Sequence, residues 1–151
     1  MDNLLIQALK EFPLIQPGDN LSSIILESCK HNKFILEDDD IIVIAQKVVS
    51  KSENRYKNLL EIKPSKQATN LALSLNRDPA FIQLILNESN EIISTDKNVI
   101  IVEHKLGFIN INAGIDRSNI PENKNLVLLL PEDPSSSSQK IYEDISSKIK
   151  K

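Results

Sequence analysis

The sequence predicts an α+β domain, a mixed sheet with a β-hairpin and about four packed helices, and three observations carry that prediction. Apolar, β-branched runs of strand length recur at 41–45, 98–104, 107–113 and 125–131. Between them lie segments in which apolar residues return at helical spacing, each opened by a capping residue. The chain has 151 residues, 40% of them apolar and 26% charged, which suits one domain, 1–151, able to bury a sizeable core.

Each element has its own local reason. Pro17-Gly18-Asp19 makes a turn, and Leu21, Ile24, Ile25, Ser28 and Cys29 then follow helical spacing, with Asp19 or Asn20 as cap. The acidic turn "EDDD" precedes "IIVIAQKVVSK", whose first half reads as a buried strand at 41–45 running into a polar segment. Pro64-Ser65 opens a helix through Leu75, and Asp78-Pro79 opens another through about Ser89, with aspartate as cap and proline at the first helical position. "NVIIVEH" and "GFININA" predict a hairpin joined by "KL" and a glycine, and "NLVLLLP" a further strand. "DPSSSSQKIYEDISSKIKK" predicts a capped amphipathic helix whose closing lysines suit the helix dipole.

Bulk chemistry narrows the function classes. Eighteen basic against twenty-one acidic side chains give −3, and aromatics make up 4% with no Trp, so neither a basic field nor a stacking surface points to nucleic acid. No apolar run reaches the roughly 18 residues of a membrane span, and the cytoplasm is the expected compartment. Cys29 is the single cysteine, and its helical spacing predicts a buried side chain rather than a nucleophile. His31 and His104 have no second ligand at zinc spacing, and there is neither a phosphate-loop signature nor a dinucleotide glycine fingerprint.

Chemistry concentrates in "NAGIDRSN", residues 112–119. Two of the chain's three glycines, Gly107 and Gly114, fall just before it or within it, and glycine in a glycine-poor chain marks left-handed backbone or a close approach. Asp116 offers a carboxylate suited to Mg²⁺ or Mn²⁺, with Asn112, Ser118 and Asn119 as hydrogen-bonding neighbours. A tight turn in which Asp116 and Asn119 cap backbone amides is the competing reading. Lys47 and Lys51 follow the 41–45 run, where a lysine can meet phosphate or stand solvated.

Five blocks, "FPLIQPGDNL", "IIVIAQKVVSKSENR", "RDPAFIQLILNES", "IIVEHKLGFININAGIDRSNIP" and "LLLPEDP", resemble in order and spacing the amino-terminal half of the coenzyme F420-0:L-glutamate ligases. The resemblance implies a GTP-dependent ligase that adds L-glutamate by γ-linkage to coenzyme F420-0 through an acyl phosphate. It also implies Mg²⁺ or Mn²⁺, with K⁺ as a further ion, and GTP as co-substrate. Asp116 would be a metal ligand. Phe12, Pro13, Leu14, Ile15, Gln46, Lys47, Lys51 and Asn119 would form the GTP site. L-glutamate and a deazaflavin coenzyme would be the other substrates, and a homodimer or a complementing subunit the expected assembly.

Two departures bear on that expectation. The family's second half carries a "TDT"-like acidic motif, and nothing like it occurs in these residues; "SSSS" also directly follows "EDP" where an aspartate is usual. The chain is therefore expected to be incomplete as a stand-alone catalyst. The alternative is a non-catalytic ligase-like module that binds a phosphorylated ligand or assembles with a partner subunit.

Overall fold

The computed structural model describes residues 4–96, 99–118 and 125–149. These residues form two compact units: 55–130, and 1–54 together with 131–151.

In the first unit to be entered, α1 (Leu21–His31) starts at Asn20, whose side-chain oxygen accepts the Ser23 amide at 2.9 Å. Its apolar stripe of Leu21, Ile25 and Cys29 is buried with Ile15 and with Ile145 of α5 (Pro134–Ile149). Burial pushes the Cys29 thiol up from its ordinary range, as expected of a small core residue. Helix α5 begins on an aspartate cap: Asp133 accepts both the amide and the hydroxyl of Ser136, at 3.0 and 2.7 Å, and these bonds hold its carboxyl below the usual range. The serine run is thus the opening turn of a helix.

The expected strand at 41–45 is not formed. Residues 41–45 pair with no strand among the described residues, and Ile41 and Val43 are 87% and 90% exposed. Only Ile44 turns onto the core. A run of β-branched residues favours extended backbone, but a strand also needs an edge to hydrogen-bond, and none is supplied. The chain passes directly into α2 (Gln46–Ser52), where a polar segment was expected.

The second unit holds two sheets. β1 (Tyr56–Asn58) pairs antiparallel with β5 (Leu126–Leu128), while β2 (Ser89–Asp96), β3 (Val99–His104) and β4 (Ile109–Ile111) form an antiparallel sheet in that order. The α+β class holds, with five α-helices and two antiparallel sheets among the described residues in place of one mixed sheet. Helix α3 (Lys66–Leu75) is capped by Ser65 and closes on Asn76 in the left-handed region (φ 48°), which asparagine tolerates. Helix α4 (Pro79–Asn87) is capped by Asp78, whose Oδ1 accepts the Phe81 amide at 2.9 Å. Phe81, Ile82, Leu84 and Ile85 of α4 pack with Ala68, Ala72 and Leu75 of α3 and with Ile100 and Val102 of β3.

The predicted hairpin is β3–β4. Strand β3 alternates half-buried and buried positions, with Ile100, Val102 and His104 facing the core. His104 holds the turn: its Nδ1 accepts the Leu106 amide at 3.0 Å, its ring stacks on Phe108 with centroids 5.1 Å apart, and Gly107 takes the left-handed φ (84°). Strands β1 and β2 were not anticipated. β1 is three residues long, and the polar, bulged "SNEIISTD" of β2 shows no alternation a sequence reading would register.

Candidate functional site

The residues expected to meet a ligand fall into two groups, one in each unit. In the unit of 1–54 and 131–151, Ile15 is buried and Phe12 half-buried in the same core, whereas Pro13 and Leu14 are exposed. The turn after this segment is closed by the Gln16 amide on Asp19 Oδ2 at 2.7 Å. Gly18, at φ 88°, donates its amide to the Ser52 carbonyl at 2.8 Å, which ties the loop to the carboxyl end of α2. Val48 and Val49 of α2 pack on the core that holds Phe12 and Ile15. Residues 12–15 and α2 are therefore brought together.

On α2, Lys47 and Lys51 are one turn apart and share a face, both half-buried. Gln46 sits at the first position of the helix and donates from Nε2 to Ser50 Oγ at 2.5 Å. Pro13 also lines a cavity of about 190 Å³ together with Glu11 and His31, whose side chains meet at 3.0 Å.

The second group is built on backbone strain. Asn112, Ala113 and Gly114 take φ values of 49°, 53° and 65°, three successive left-handed residues. Glycine and asparagine tolerate that conformation, but at Ala113 it costs roughly 1–2 kcal/mol, so the surrounding structure must impose it there. Ala113 is buried in the α3–α4 core, and the side chain of Asn112 accepts the Ile100 amide at 3.4 Å. A Cβ on Gly114 would meet Asn110 Nδ2 and Leu130 Cδ1 at 3.0 Å, crowding both side chains, and its φ of 65° is one that L side chains rarely adopt.

The turn delivers Asp116 to a fixed place. Its amide and carbonyl exchange hydrogen bonds with the carbonyl and amide of Leu128, each 2.9 Å. Its carboxylate Oδ1 accepts the amide and the hydroxyl of Ser118 at 2.7 and 2.6 Å. Asp116 thus caps the turn through Ser118, as the competing reading of the sequence expects, and its backbone is paired with that of Leu128. Asn119 lies outside the described residues.

As a cation site the loop fits in part. Asp116 supplies a carboxylate of the right hardness for Mg²⁺ or Mn²⁺, but no cluster of three His, Cys, Asp or Glu side chains able to hold a metal occurs among the described residues. Asp116 is the one expected metal ligand in this loop, and it supplies a single carboxylate.

Sequence reasoning passed over Arg77 and Arg117. Their guanidinium carbons stand 5.2 and 4.9 Å from the centroid of the Phe81 ring. The signal available was their place beside two strong local features, the "DP" helix start and the "GID" turn. Nothing in residue spacing says that both reach one aromatic ring.

The family model for F420-0:Gamma-glutamyl ligase matches residues 10–151. The chain belongs to this family. It is similar to the coenzyme F420:L-glutamate ligase of Methanothermobacter thermautotrophicus, at 41% identity over 133 residues, covering 88% of this chain and 52% of that protein. The enzymes of the same name from Methanocaldococcus jannaschii and Archaeoglobus fulgidus are 39% and 36% identical, covering 89% and 88% of this chain and 51% and 50% of theirs. The chain spans about half the length of these curated relatives. The resemblance read from the five blocks is thus confirmed at family level. Among the described residues no helix is long and apolar enough to cross a membrane.

Proposed function

We propose that this chain is the nucleotide- and metal-binding half of a ligase that joins L-glutamate, through its amine, to the carboxyl group of a coenzyme F420 precursor. Family membership supports the reaction class, and the observation that favours these residues is the turn that holds Asp116. Strain of this kind is retained where a rigid side chain is needed for a ligand.

A free carboxylate is a poor acyl donor. In the proposed reaction its oxygen attacks the terminal phosphorus of GTP, releasing GDP and forming an acyl phosphate. The glutamate amine then attacks the acyl carbon, an amide forms, and inorganic phosphate leaves with the C–O bond electrons. A divalent cation, when bound, offsets phosphate charge during such a transfer. Asp116 would orient that cation, while Phe12, Pro13, Leu14, Ile15, Gln46, Lys47, Lys51 and Asn119 would hold the nucleotide. The hydrogen bonds of Asp116 support this role because a side chain placed beforehand loses little freedom on binding.

Thermal unfolding with GTP and Mn²⁺ tests the reading. Ligand at ~100 times its dissociation constant should stabilise the chain by roughly 2.7 kcal/mol, a rise of roughly 5–10 °C at this length. The rise should vanish in Asp116→Ala. A parent chain that does not shift at millimolar GTP and Mn²⁺ would overturn an autonomous nucleotide–metal site.

One observation favours a second reading, assembly with a further polypeptide. Leu4, Leu5, Ile6, Ile41 and Val43 are each at least three-quarters exposed, all in the unit that carries 12–15 and α2. Exposed apolar side chains in such number suit a face that a homodimer partner or a complementing subunit covers. The β-branched run 41–45, which pairs with no strand among the described residues, is also able to accept one.

A further inference from the structure

We propose that Arg55 is a positioning residue: it staples the segment 128–130, to which Asp116 is bonded, and so sets where that carboxylate stands. The consequence for a bound cation rests on the metal role proposed for Asp116, whereas the staple itself does not.

Arg55 and Leu130 are the first and last residues of the 55–130 unit. Two bonds join these ends. The Leu129 amide donates to the Arg55 carbonyl at 3.0 Å, and Arg55 Nε donates to the Leu130 carbonyl at 2.8 Å. The same guanidinium meets Glu88, its Nη2 standing 3.4 Å from Oε2, and both side chains are less than one-fifth exposed. Glu88 closes α4, and its carbonyl accepts the Lys105 amide at 3.0 Å, so this residue is tied to the helix and to the β3–β4 turn.

Two contacts lead from the stapled segment to the Asp116 turn. Leu128 pairs with Tyr56 of β1 on one edge and with Asp116 on the other, the second through two bonds of 2.9 Å. Leu130 packs on the glycine of the turn, where a Cβ at Gly114 would meet its Cδ1 and Cγ at 3.0 and 3.2 Å. A shift of 128–130 therefore shifts the backbone of Asp116.

The task suits arginine. Nε and Nη2 lie in one rigid plane, so a single guanidinium serves a carbonyl and a carboxylate at once, whereas lysine brings charge without a fixed fork. Bonds of this kind are stronger than neutral ones, and removing the donor leaves shielded acceptors unpaired.

A merely structural ion pair would hold the 55–130 unit as a whole, and amide exchange separates that role from positioning. Exchange at the Asp116 and Leu128 amides reads the opening of their mutual bridge, while Ala72, inside α3 and 2% exposed, reads the core of the unit. In the full chain, with neither nucleotide nor metal added, Arg55→Gln should speed exchange at Asp116 and Leu128 about tenfold or more relative to Ala72, the loss of one charge-assisted bond. Arg55→Lys should fall between parent and Gln. Glu88→Gln leaves Arg55 in place and should speed the same two amides by less; it carries the test where Arg55→Gln does not fold. Lys57→Gln, an exposed cation on β1, should leave the ratio to Ala72 within about twofold.

Electron paramagnetic resonance of Mn²⁺, with GTP present, reads the consequence for the metal: Arg55→Gln should weaken its binding about tenfold or more. A parent chain that takes up no Mn²⁺ would overturn the metal role of Asp116, and exchange alone then decides the staple. Equal acceleration at Ala72 and at the two bridge amides would overturn the proposal, as would a Lys57→Gln effect that matches Arg55→Gln. Unchanged Mn²⁺ affinity in an Arg55→Gln chain whose bridge amides exchange faster would also overturn it, because the carboxylate would then stand correctly without the staple.

Discussion

His104 shows how one side chain can fix a turn and set a pH limit. It is 3% exposed, its Nδ1 accepts the Leu106 amide, and so the neutral ring carries its proton on Nε2, which finds no hydrogen-bond partner among the described residues. Burial, the largest cause, pushes the imidazole below its ordinary value of 6.5; Glu88 opposes this, and Lys105 and Arg55 reinforce it. A protonated Nδ1 could no longer accept from Leu106. The folded chain therefore binds this proton less readily than the unfolded chain, and the contribution to stability is complete above 6.5 and lost as pH falls through that value. Urea unfolding between about pH 7.5 and 5.5 should show a stability that declines with acid, by at most about 1.4 kcal/mol per pH unit for this one proton. His104→Asn should flatten the difference. The exposed His31 is common to both chains and cancels, so an unchanged slope would remove His104 as its source.

At the scale of elements, helix starts were the most legible feature and strand pairing the least. Asn20, Ser65 and Asp78 each make the side-chain cap that the sequence expects, because a cap is a bond between residues three apart. Asp78→Ala should cost about 1 kcal/mol in chemical denaturation, with Asp78→Asn nearly neutral; a similar loss in both would point to charge rather than capping. Pairing depends on what comes to lie alongside, which no local window contains. The 41–45 run has the composition of a buried strand and no partner among the described residues, while the polar, bulged β2 pairs with β3. An isosteric comparison tests the difference. Val43→Thr, at an exposed position, should change stability by less than about 0.5 kcal/mol. Val102→Thr places the same hydroxyl at a wholly buried site on β3 and should cost about 1–3 kcal/mol. Equal costs would mean that Val43 is covered in solution.

For the whole molecule, the candidate site was legible as residues and not as an arrangement. Asp116 and its glycine-flanked turn stood out because glycine is scarce and the turn is local. The division of 12–15 and α2 from Asp116 between two compact units, and the convergence of Arg77 and Arg117 on Phe81, depend on contacts far apart in sequence. Each unit has a buried cluster drawn wholly from its own residues, Ile25 in one and Ile82 in the other. The chain lacks tryptophan, and its two tyrosines fall one in each unit, Tyr142 on α5 and Tyr56 on β1. Fluorescence in a Tyr142→Phe background therefore reports the 55–130 unit alone. Ile82 is entirely buried, and Ile82→Ala should remove about 2–5 kcal/mol, a large share of the 5–15 kcal/mol typical of folded domains. At a urea dependence of roughly 1–3 kcal/mol per molar, the Tyr56 midpoint should fall by about 1 M or more. A midpoint that stays in place would show that the packing of α4 on α3 and β3 is not what holds the 55–130 unit together, and with it the support for the strained turn that presents Asp116.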